Sequence, residues 1–76
     1  MKYSDTYLQE LERKLGNIER YASSGTLIHK VSTLRAYLAF YFVAKEQNYL
    51  NKDRIDFTYK IVTNEIEPFL KEYVNG

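Results

Sequence analysis

The chain has 76 residues, no cysteine, one histidine, and eleven Lys and Arg against ten Asp and Glu, for a formal net charge of +1. A chain of this length makes one domain, residues 1–76, in the size range where a single hydrophobic core leaves a margin of roughly 3 to 5 kcal/mol. The composition excludes a disulfide staple and a thiolate metal site, gives no argument for an oxidising compartment, and supplies no long-range field to attract nucleic acid or an acidic membrane.

Ser4 or Asp5 is placed to cap a first helix, along which Leu8, Leu11, Leu15, Ile18 and Ala22 recur at spacings of three and four, the seam of an amphipathic helix. Gln9, Glu10, Arg13, Asn17 and Arg20 occupy the opposite, solvated face. Gly16 lies mid-helix, at a cost of roughly 1 kcal/mol relative to alanine, and reads as tolerated rather than as a close helix approach. The opening MKYSDTYLQELERK contains no apolar leader segment, which predicts a cytoplasmic, soluble protein. Ser23, Ser24, Gly25 and Thr26 break the pattern. Gly25 is expected to close the first helix in the left-handed conformation and Thr26 to cap the next. So short a connection makes the two helices antiparallel neighbours.

The second helix is predicted from Leu27 to about Asn48. It contains the most apolar stretch of the chain, LRAYLAFYFVA at residues 34–44, in which Arg35 is the only charge. That run is far shorter than the roughly 20 residues of a membrane span. Leu27, Val31, Leu34, Leu38, Tyr41 and Phe42 form one stripe, and Ala36, Phe40, Val43 and Ala44 lie opposite. A helix apolar on all sides is normally enclosed by neighbours. After a break at Asn48 to Lys52, with Asn51 or Asp53 as the cap, a third helix shows Ile55, Tyr59, Val62, Ile66, Phe69 and Tyr73 in a three-four repeat that Pro68 interrupts. The repeat keeps phase across Pro68, predicting one kinked helix or two collinear pieces with Asn64 as a new cap. The expected fold is all-α: an up-down-up antiparallel three-helix bundle with the third helix kinked near Pro68.

Little in the chain points to chemistry. His29 has no second histidine or carboxylate on its helix face, which marks it as a surface residue rather than a base or ligand. Glu10 and Glu12, like Glu65 and Glu67, are two apart and point to different helix faces, so neither pair makes a dyad. No phosphate-loop, metalloprotease or nucleophile-elbow motif occurs. The expectation is a protein that is not an enzyme and takes no cofactor or metal. The amino end of the second helix, with Ser24, Thr26, His29 and Lys30, could hold an anion on its free amides and positive helix end. The plainer alternative is a capped turn, with Glu67 and Glu72 neutralising Lys30 and Arg20. A recognition helix must expose polar and basic side chains, and the second helix is the most apolar in the chain, which argues against nucleic acid.

The three seams leave apolar residues over. Ala36, Phe40 and Val43 lie away from the seam of the second helix, and Phe57, Ile61 and Pro68 form a second line on the third. The two sets either cover each other within one chain or form a face for a homodimer or another protein, since large exposed apolar patches are uncommon on monomers. Eight tyrosines fit either AT-rich coding or the rim of an interface, where a large ring with a polar tip is useful. The function expected is a non-enzymatic protein-interaction module of the regulator, immunity or inhibitor type, bacterial or phage-encoded, acting through Ala36, Phe40, Val43, Phe57 and Ile61. Binding of nucleic acid or an anion at the amino end of the second helix is the alternative.

Gly25, Lys30, Val31, Leu34, Leu38, Phe57 and Tyr59 carry a loose likeness across residues 21–61. The segment resembles the enterocin-A-type bacteriocin immunity proteins, in which a glycine turn precedes a helix with Lys-Val and spaced leucines, followed by an aromatic-containing helix. The chain is shorter than that family and lacks its extended tail after the last helix, the region implied to matter for partner recognition. No functional residue carries over. The resemblance implies a cytoplasmic helical bundle that blocks a toxin's receptor complex.

Overall fold

The structure is a computed structural model that describes residues 3–75, and these are helical apart from short connections. Helix α1 spans Asp5–Tyr21 and α2 Gly25–Glu46; α3 spans Lys52–Ile61 and passes through a π-helical turn, Val62–Ile66, into α4, Glu67–Asn75. Three helical rods result, the third made of α3, the π turn and α4. Among the described residues no helix is long and apolar enough to cross a membrane.

Each rod starts where a short polar side chain replaces a missing helical acceptor. Ser4 Oγ accepts from the Tyr7 amide at 3.1 Å, Ser24 Oγ from Leu27 at 3.3 Å, and Asn51 Oδ1 from Arg54 at 2.9 Å. The second cap is therefore Ser24 and not Thr26, and Gly25 is the first residue of α2 rather than the left-handed end of α1. Residues leaving α1 are extended, with Ala22 at φ −72° and ψ 139°, so that turn needs no left-handed residue. The left-handed residue is Asn48, at φ 63°, where an asparagine is tolerated. It follows α2, with the Asn48 amide bonded to the Lys45 carbonyl at 3.2 Å and the Tyr49 amide to Ala44 at 2.7 Å, the paired bonds of a Schellman closure.

Pro68 does not break the third rod. A proline ring collides with the carbonyl four residues back and leaves it without a donor, here that of Asn64. The chain widens just upstream instead: the Glu67 amide reaches the Val62 carbonyl, five residues away, the bond of a π turn. Asn64 lies exposed inside that turn and caps nothing, which corrects the expectation of a new cap.

The core joins all three rods. Leu8, Leu11 and Leu15 of α1, Val31, Leu34, Leu38 and Tyr41 of α2, and Tyr59, Val62 and Ile66 of the third rod form one buried cluster. At one end Asp5 accepts from the Tyr41 hydroxyl at 3.1 Å and pairs with Lys45. At the other, Glu19 accepts from Ser32 and from Arg35 Nη1 at 2.9 Å. The start of α1 thus lies against the end of α2, and its end against the start.

A Cβ placed on Gly16 would sit 3.5 Å from the Arg35 guanidinium carbon, ordinary contact with the far end of a flexible side chain. Gly16→Ala is therefore expected to stabilise the protein by about 0.5–1 kcal/mol through helix propensity. Thermal unfolding followed by circular dichroism should show Tm raised by roughly 4–8 °C per kcal/mol; an unchanged or lower Tm contradicts this account of the site.

Candidate functional site

The apolar circumference of α2 predicts enclosure on every side, and the structure departs from that. Leu34, Leu38 and Tyr41 face the core. Phe40, two residues beyond Leu38, lies about 200° around the helix and is 68 % exposed; Val43, one turn on, is 55 % exposed, and Phe57 on α3 is 53 % exposed. Among the described residues two rods pack on two sides of α2, and none covers the side that carries Phe40 and Val43.

Phe40 and Phe57 line one groove between α2 and α3, of about 210 Å³, with Tyr37, Ala44 and Leu50 along it and Asp53 and Arg54 at its edge. The Tyr37 and Phe57 rings meet edge to face at 5.7 Å. The groove floor makes no polar demand on a ligand, because the buried Thr58 hydroxyl already donates to the Arg54 carbonyl at 3.0 Å. What the groove can do chemically is hold an apolar or aromatic group.

The sequence-predicted surface is thus only partly assembled here. Phe40 and Phe57 share the groove and Val43 stands one turn along, whereas Ala36 is half-buried in a separate, polar-edged depression with Glu12, Glu19, Ser32 and Arg35. Ile61 is half-buried against the core. At the amino end of α2, the Ser24 hydroxyl is engaged in its own cap; Thr26, His29 and Lys30 are exposed. Lys30 Nζ lies 3.9 Å from Glu65, not beside Glu67 or Glu72. Glu67 is engaged elsewhere.

That engagement is a tyrosine–carboxylate clip absent from the sequence reading. Tyr3 donates to one Glu67 oxygen at 3.1 Å, Tyr7 donates to the other, and the Tyr3 hydroxyl is 2.6 Å from Thr63 Oγ1. Tyr59 donates to the Tyr3 carbonyl at 3.2 Å. The Tyr3 ring stacks on Tyr7 at 5.5 Å and meets Tyr59 edge-on at 5.2 Å. The clip ties the start of α1 to the π turn and α4. Tyr3 and Tyr7 lie on either side of the Ser4 cap, and nothing local names a partner sixty residues on.

The hydrogen bond to Glu67, aided by burial and the carboxylate's charge, pushes the Tyr7 phenol from 10.0 up to about 12. The fold therefore favours its neutral form, and that contribution is complete below pH 10 and lost as pH rises through about 12. Glu19 behaves in the opposite sense. Its bonds from Ser32 and Arg35 lower its pKa, so its contribution holds above the ordinary carboxylate range and fades as pH falls through the lowered value. An absorbance titration of the phenolates should lose a step near pH 12 in Tyr7→Phe; loss of a step near pH 10 instead contradicts the clip.

Among the described residues no group of three or more His, Cys, Asp or Glu side chains is placed to hold a metal ion. Comparison of the chain with family models, curated proteins and solved structures finds no match.

Proposed function

We propose that the chain is a non-enzymatic, cytoplasmic protein-interaction module, an up-down-up antiparallel bundle bent at its π turn, that binds another protein through the α2–α3 face and also self-associates. The observation that carries this is the exposure of Phe40, Val43 and Phe57 on adjoining helices, two of them beside an apolar groove. Monomers seldom leave such a patch open to water. Buried aromatic anchors within a polar rim are what hold protein interfaces together, and Asp53 and Arg54 supply part of such a rim here. Acting by occupying another protein's surface is also the mode that the resemblance to immunity proteins implies.

Capture of binding proteins from host extract by the wild type and by Phe40→Asp tests the reading. Phe40 contributes little to the core, so the variant should keep its helicity by circular dichroism and its stability within about 0.5 kcal/mol, yet lose the captured protein. Retention of that protein by a folded Phe40→Asp variant rejects this face as the working surface.

A further inference from the structure

Resting on that reading, we infer that the groove between α2 and α3 receives Phe40 of a second copy of this chain, in a two-fold interface to which each copy contributes one ring and one groove. Three observations support this occupant.

The first is size. An apolar cavity of roughly 150 Å³ holds a benzene ring, and the groove measures about 210 Å³. Phe40 forms one wall of that groove while also being the most exposed phenylalanine of the face. Ring and receptacle therefore lie on a single patch. A patch that is complementary to itself closes as a symmetric pair and does not propagate into filaments.

Charge is the second. Asp53 and Arg54 both border the groove, and neither belongs to a salt bridge among the described residues. A face bearing one sign of charge would repel its own copy. This one carries one acid and one base, so a copy turned about a two-fold axis can set Asp53 against Arg54 in both directions.

The third is area. An aromatic side chain buries roughly 150–250 Å², so the exposed fractions of Phe40 and Phe57 amount to on the order of 240 Å² per copy. A standard homodimer interface buries about 800 Å² per partner, about 65 % of it non-polar. With Val43, 55 % exposed, the patch matches the small, weakly associating end of the interface range. The other strongly exposed apolar residues, Tyr21, Tyr49 and Val74, do not line the groove. Copy and target then compete for one face.

Sedimentation of the full chain across micromolar to millimolar concentration, with isotope-filtered NOE spectra of a mixed labelled and unlabelled sample, tests the interface. The mass should rise from one chain to two, with intermolecular contacts from the Phe40 ring to Ala44 and Tyr37. Phe40→Asp should stay monomeric. Asp53→Arg and Arg54→Asp, both at exposed positions and each checked for helicity by circular dichroism, should each weaken the dimer by about three- to tenfold, and the doubly swapped chain should recover it. A wild type monomeric throughout, intermolecular contacts at Tyr21 or Val74 instead, or a double swap no tighter than the single variants overturns the interface. If that monomer still captures a host protein that Phe40→Asp loses, the dimer falls while the docking role stands.

Discussion

Replacing Leu38 with alanine is expected to cost about 2–5 kcal/mol, enough to leave much of the chain unfolded at room temperature. Leu38 is 0 % exposed and belongs to the cluster that joins all three rods. Truncation there removes buried methyl groups and leaves a void that close-packed neighbours fill only in part. A single core in a chain of 76 residues holds a margin of roughly 3 to 5 kcal/mol, so the loss is comparable to the total. Phe40→Ala, two residues along the same apolar run, should change stability by about 0.5 kcal/mol or less. Urea unfolding of the two variants makes the comparison: the midpoint should collapse for Leu38 and hardly move for Phe40, with a common slope. Similar midpoints for both would mean that α2 is not oriented as described.

That contrast shows where the sequence is legible. The buried leucines of α1 and Val31, Leu34, Leu38 and Tyr41 of α2 fall on the predicted seams, because burying one side of a helix enforces a three-four rhythm that composition alone reveals. The surplus of apolar residues at Phe40, Val43 and Phe57 is equally visible; which side of it stays open is set by where the other two rods pack against α2. Features set by single backbone bonds were harder to see. Ser24, Gly25 and Thr26 can each serve at a helix junction, and only the extended path after Tyr21 selects Ser24. The π turn adds one residue to the helical path, which is why the third seam loses phase beyond Ile66. Phe69 and Leu70 are both half-buried there and Tyr73 is exposed, although the simple repeat assigns Tyr73 to the core side. The clip around Glu67 was illegible for another reason: its partners are joined by the tertiary fold, and no periodicity relates Tyr3 and Tyr7 to a carboxylate near the far end of the chain.

Glu67→Ala should expose how much that clip contributes. The carboxylate accepts from two phenols, one of them part-buried. Hydrogen bonds to a charged acceptor contribute roughly 1.5–3 kcal/mol each when well shielded, and half-exposed geometry lowers that, so a total loss of about 1–3 kcal/mol is expected. The substitution should also bring the Tyr7 phenol back down from about 12 toward 10, removing the alkaline step in stability expected of the wild type between those values. Tyr7→Phe should cost less, because the Tyr3 bond to Glu67 survives it. Combined with Glu67→Ala it should add almost nothing, giving a coupling of about 1 kcal/mol in a double-mutant cycle. Strict additivity would mean that Tyr7 and Glu67 act separately, and the tie to α4 would then rest on the Tyr3 bond to Glu67 alone.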